Sequence, residues 1–164
     1  MKKTTVLGIG NILWADEGFG PRVVARLEER NAVSAGTVVG ADLVDGGTQG
    51  LYLLPLIQDT ARLVVFDAVD FAKKPGEIVV LRDEEIPAYF GQRPLSLHQT
   101  AFTDVLAAAS LTNAMPEAVT LIGVQYGNID EWGGGLSPAV AAAIDRAIEI
   151  GLNELESWKE ATYA

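Results

Sequence analysis

Residues 62–69, RLVVFDAV, constrain the chain most: an almost unbroken apolar run with one carboxylate, Asp67, near its end. Such a run is covered on both faces, as a central strand of a parallel sheet is. Further strand signals lie at Thr4–Gly10 (TTVLGIG), Thr37–Val44, Glu77–Leu81 and Val119–Val124. Helix signals alternate with them. Pro21 suits a first turn, and Val23, Val24 and Leu27 then form an apolar face. Gly50–Ile57 reads as a short helix that Pro55 shortens or kinks. Leu97, Ala101, Val105, Leu106 and Ala109 recur at helical spacing, so a helix begins near His98. Ser137-Pro138 opens a long final helix whose stripe is Val140, Ile144, Ile148, Leu152 and Leu155. This alternation predicts an α/β protein: a single three-layer α/β/α domain over residues 1–164, with a five-stranded, mostly parallel twisted sheet.

Composition narrows the function. With 49% hydrophobic residues among 164, the chain can build a core without disulfides or a structural metal. Twelve Lys and Arg against twenty-two Asp and Glu give a net charge of −10, and the basic residues are scattered, which argues against nucleic acid as a partner. The chain has no cysteine, so thiolate metal sites, iron–sulfur clusters and cysteine nucleophiles are excluded, and a reducing cytoplasm suits it. Met1-Lys2-Lys3 begins like a signal peptide, but Gly8, Gly10 and Asn11 break the apolar run that follows. No stretch is long enough to cross a membrane, so a soluble cytoplasmic protein without a membrane partner is expected.

In open α/β sheets, ligands bind beyond the carboxyl ends of the strands, near the point where strand order reverses. The loops there carry Asn11, Asp16 and Glu17, then Asp45, then Asp67 with Asp70, while His98 stands at a helix start. A carboxylate within LVVFDAV needs a cation, a set of donors or a proton. Asp67 reads equally as a strand-end residue tying a loop, His98 alone as a cap or packing residue, and Glu17 alone as a solvated charge. If the first and third strands are neighbours, Glu17 and Asp67 converge and His98 completes a two-oxygen, one-nitrogen set. That set suits nickel or zinc with coordination positions left open. Competing motifs are incomplete: GIGN invites dinucleotide binding, but Leu13 replaces the third glycine, and neither a Walker A sequence nor a G-x-S-x-G elbow occurs. A Rossmann-like nucleotide binder and a non-catalytic module with an acidic rim remain as alternatives.

GIGNILWADEGFG (8–20), DGGTQG (45–50), FDAVD (66–70) and SLHQ (96–99) resemble, in that order and over nearly the whole chain, the nickel–iron hydrogenase maturation proteases. The wording WADEGFG, DGGTQGL and SLHQ is most similar to proteases serving membrane-bound uptake hydrogenases. The resemblance implies a cytoplasmic endopeptidase, usually monomeric, that removes a C-terminal extension from the hydrogenase large-subunit precursor once nickel is inserted. It assigns metal binding to Glu17, Asp67 and His98, the nickel being that of the precursor, with cadmium or zinc able to occupy the same position. It makes Asp45 and Asp16 the candidate catalytic carboxylates. Cleavage is then either metal-assisted hydrolysis or general-base catalysis by Asp45 or Asp16 on water. The Asp45-Gly46-Gly47 context permits close backbone approach and favours Asp45. A chaperone-like binder of the precursor is the non-catalytic alternative. Trp14, Leu51, Tyr52, Leu53 and Trp132 are candidates for a docking surface, with core packing as the other fate for most of them.

Overall fold

A computed structural model describes residues 2–34, 40–91 and 97–163; the side chains of 97–101 and 163 fall outside that description. Five strands pair into one sheet among the described residues: β1 (Lys3–Ile9), β2 (Asp42–Gly47), β3 (Thr60–Val69), β4 (Ile78–Arg82) and β5 (Ala118–Gln125), in the order β2-β1-β3-β5-β4. All neighbours run parallel except β4, which lies antiparallel along β5 at the edge. The expected mostly parallel α/β architecture is the observed one.

Helices cover both faces: α1 (Phe19–Val33) and α5 (Pro138–Tyr163) on one, α2 (Leu54–Gln58), α3 (Glu85–Phe90) and α4 (Leu97–Leu111) on the other. The period of two along β3 separates the two cores. Val64 and Phe66 pack with Phe19, Val23 and Ile148, whereas Leu63, Val65 and Val69 pack with Ile57, Phe90 and Val105. Asp67 shares the parity of Leu63 and Val65, so its side chain leaves the sheet on the α2–α3–α4 face.

Several boundaries differ from the sequence reading, each for a local reason. The second strand was expected at Thr37–Val44; residues 35–39 lie outside the described residues, and β2 begins at Asp42 and runs through Asp45-Gly46-Gly47. β1 carries the ladder through them, Gly8 opposite Asp45 and Ile9 opposite Gly47, and the chain turns at its end, where Gly47 is left-handed (φ 49°) and Gln49 N–H donates to the Gly46 carbonyl at 3.2 Å. Gly46 is buried against Leu7, where an added methyl carbon would stand only 2.7 Å from the leucine side chain. Pro55 does not kink a helix but opens one: a 3-10 turn over Gly50–Leu53 precedes α2, with proline in the first turn where no N–H is required. The short α3 carries no apolar period long enough to be read from sequence. It is started by Asp83, whose left-handed backbone (φ 45°) turns the chain after β4 and whose carboxylate accepts the Val119 N–H at 2.8 Å.

Candidate active site

The strand order reverses between β1 and β3: the chain steps from β1 outward to β2, then back across β1 to β3. Loops leaving the carboxyl ends of these two strands therefore diverge and open a crevice. Gly8 is paired on one side with Asp45 and on the other with Phe66, the residue before Asp67. Asp45 and Asp67 thus flank β1 at nearly the same height, two strand spacings or about 10 Å apart along the sheet, but with opposite parity: Asp45 is in register with Phe66 on the α1–α5 face, so the two can meet only at the rim.

The third element is the β1–α1 loop. It folds back on itself, with Asn11 N–H donating to the Glu17 carbonyl at 3.0 Å and Glu17 N–H to the Trp14 carbonyl at 2.9 Å. Its return depends on missing side chains. Gly20 opens α1 directly against the carbonyls of Ile9 and Phe66, and Gly8 meets the Gly20 carbonyl in turn. With no Cβ at either position, the start of α1 lies on β1 and β3, and Glu17 is delivered to the crevice mouth.

Glu17 and Asp67 are brought into electrostatic contact. Asp67 is 5% exposed, and its carboxyl is pushed well above the ordinary aspartate range. Burial is the main cause; a hydrogen bond from the Ala68 backbone N–H opposes it, and the Glu17 carboxylate raises it further. Tyr126, just beyond β5, belongs to the same acidic surroundings: burial raises its phenol first, then Asp70, Asp130 and Glu17. His98 sits on the first turn of α4, which feeds the amino end of β5 and so begins at the carboxyl rim, on the face that Asp67 enters. Its side chain lies outside the described residues. Among the described residues no three histidine or acidic side chains are grouped tightly enough to hold a metal by themselves.

The two carboxylates expected to act as bases are placed very differently. Asp45 is exposed, with one oxygen accepting the Gly47 N–H at 2.9 Å. Asp16 is fully buried. Its carboxylate accepts from Gly127 N–H (2.8 Å), Asn128 N–H (2.9 Å), Ser137 N–H (2.7 Å) and Ser137 Oγ–H (2.9 Å). A carboxylate with four donors and no exposure is a tie between the β1 and β5 loops, not a group positioned to take a proton from water.

Sequence reasoning missed two supports. Gln125, at the end of β5, accepts Phe71 N–H (2.7 Å) and Lys73 N–H (3.2 Å) through Oε1 and donates to the Tyr126 carbonyl (3.1 Å) through Nε2, fixing the loop beyond Asp67. Ser137 was legible only as a helix start; its bond to Asp16 spans 121 residues and leaves no local trace. Of the apolar docking candidates, Leu53 is core, Trp14 is half-buried, and Leu51, Tyr52 and Trp132 are exposed.

An acidic crevice at the switch point of a doubly wound α/β sheet is the class of site that fold and side chains define. Comparison with known proteins makes it specific. A family profile described as hydrogenase maturation protease matches residues 21–154. The hydrogenase expression/formation protein HupD of Rhodobacter capsulatus is 50% identical over 157 residues, covering 96% of this chain and 73% of its own. The hydrogenase 2 maturation protease of Escherichia coli K12 is 40% identical over 158 residues, covering 95% and 93%. The solved structure of the hydrogenase maturating endopeptidase HybD from E. coli superposes with a TM-score of 0.83 at 38% identity, over 96% of this chain and 93% of that one. The chain belongs to the hydrogenase maturation protease family and is therefore a peptidase.

Proposed function

We propose that this chain removes the C-terminal extension of a hydrogenase large-subunit precursor, and that it recognises the precursor through the nickel already seated there. The motif wording WADEGFG and SLHQ favours an uptake-type hydrogenase as the source of that precursor.

The observation that carries the reading is the meeting of Glu17 with a buried Asp67 whose ionised form is disfavoured both by burial and by its neighbour. A divalent cation between them would relieve both effects. With His98 from the first turn of α4, the set would be two oxygens and one nitrogen. Those donors are harder than the thiolates that hold nickel in the precursor, so they would share the ion without removing it. The metal serves as a recognition handle: docking aligns the adjacent peptide bond across the crevice. When bound, the ion can also polarise a nearby carbonyl.

Asp45 then acts on water. Its oxygen not bonded to Gly47 accepts a proton as the water oxygen attacks the scissile carbonyl carbon; the C–N bond breaks, and the proton passes to the departing amine. Asp16 does not enter this step. It is a positioning residue that holds the Glu17 loop against the β5–α5 loop.

The test is to incubate the purified chain with nickel-loaded and nickel-free precursor and follow the size shift. Cleavage of the loaded form alone, lost on Glu17→Gln, Asp67→Asn or His98→Ala, is the expected result. Equal cleavage of both forms would remove nickel sensing, and no cleavage of either would end the protease reading.

A further inference from the structure

Among the described residues, the large apolar side chains that remain in water include one group drawn from two loops, apart from the sequence-adjacent pair Leu51 and Tyr52. Ile12, Leu13 and Trp132 are 53%, 47% and 63% exposed, and they occupy one lip formed by the β1–α1 and β5–α5 loops. The lip is built, not loose. Trp14 and Trp132 form an antiparallel bridge, and their rings meet edge to face at 5.0 Å and 76°. Gly133 N–H donates to the Leu13 carbonyl at 2.8 Å, and Asp16 N–H to the Asn128 carbonyl at 2.9 Å. Beneath lies the Asp16 carboxylate with its four donors from residues 127, 128 and 137. An exposed Trp on a pre-organised scaffold is the anchor type of a binding hot spot, with Ile12 and Leu13 as the apolar surround that excludes water, and little ordering cost is left for association.

The lip is continuous with the candidate active site. Glu17 belongs to the same loop, four residues after Leu13, so a polypeptide laid across the crevice passes over it. Its surface charge is mostly negative: Glu17, Asp130 and Glu131 stand against one cation, Arg22, whose Nε lies beside Gly18 and Ile12, while Asp16 is buried among its own donors. An acidic segment would be repelled, and an apolar segment flanked by basic residues would be drawn in.

We infer that Ile12, Leu13 and Trp132 form the docking lip for an apolar, basic-flanked stretch of the precursor beside its cleavage point. The inference rests on the protease reading above. Leu111 and Val33 supply the comparison: they are 86% and 89% exposed, but they lie at the far ends of α4 and α1, away from the crevice.

The experiment compares wild type, Ile12→Ser/Leu13→Ser, Trp132→Ser and the control Val33→Ser/Leu111→Ser on nickel-loaded precursor. The Ile12→Ser/Leu13→Ser variant leaves the tryptophan pair intact, and thermal melting verifies folding of each. The lip variants are expected to raise KM roughly tenfold with kcat unchanged, and the control to change neither. Binding of the precursor is measured in parallel in an Asp45→Asn background, where the same pattern is expected in Kd. An unchanged KM and Kd in the lip variants, or an equal rise in the control, would overturn the lip. A wild type that binds through the lip but never cleaves would sink the protease reading and leave the docking surface standing.

Discussion

Asp16 and Asp67 are both buried aspartates at the carboxyl rim of one sheet, yet their surroundings are opposite. Asp16 has four donors around its oxygens; Asp67 has the Ala68 backbone N–H and the repelling charge of Glu17. The first arrangement stabilises a carboxylate and fixes two loops. The second leaves an ionised carboxylate short of positive charge, which is how a fold prepares a place for a cation. Burial alone does not distinguish structure from function here; the donor count does.

The contrast can be broken at either residue. Asp16→Ala should have the largest effect on the fold: three backbone N–H groups and the Ser137 hydroxyl lose their acceptor, at a cost of about 4 kcal/mol measured by denaturant unfolding. A loss under about 1 kcal/mol would mean that water replaces the carboxylate and that the tie is dispensable. Asp67→Asn should instead lower precursor cleavage by more than about a hundredfold, as loss of a direct metal contact would, while unfolding stability stays at or above wild type. If stability fell as far as in Asp16→Ala, Asp67 would be a structural tie as well.

A pH series sharpens the difference. The folded chain holds the Asp67 proton to higher pH than the unfolded chain does. Its favourable contribution is complete below the ordinary aspartate range and is lost as pH rises through the raised folded value. In metal-free protein, the stability of Asp67→Asn should gain on wild type from pH 4 toward neutrality, and a gap independent of pH would contradict the raised carboxyl.

Glu154 has the opposite sign and the smallest effect. Burial raises its carboxyl, but hydrogen bonds from Arg82 (2.9 Å) and the Thr120 hydroxyl (2.6 Å) outweigh this and lower it overall. Its contribution is present above the ordinary glutamate range and disappears as pH falls through the depressed value. Glu154→Gln, remote from the crevice, should cost about 1 kcal/mol with cleavage unchanged.

The legible parts of this protein are those where chemistry is local. β3 and β5 announce themselves because a strand covered on both faces has no room for polar residues, and Asp67 stands out in the sequence for the same reason. β2 runs further than its residues suggest because β1 holds Asp45 and Gly46 in the ladder before the chain turns at Gly47. Asp16 and Glu17 are adjacent acids with identical local credentials. What separates them is that one faces residues more than a hundred positions away and the other the crevice. No spacing rule encodes that choice, whereas the tertiary contact does.

Gly20 has a wider consequence. Because α1 begins in contact with the carbonyls of Ile9 and Phe66, the height of the Glu17 loop above the sheet is set by backbone touching backbone. Even one methyl group there would lift the helix start and move one acid of the crevice relative to the other. The gauge of the mouth, and with it the size of ion it can grasp, is therefore ruled by hydrogen atoms on two glycines and not by any of the polar side chains that line it.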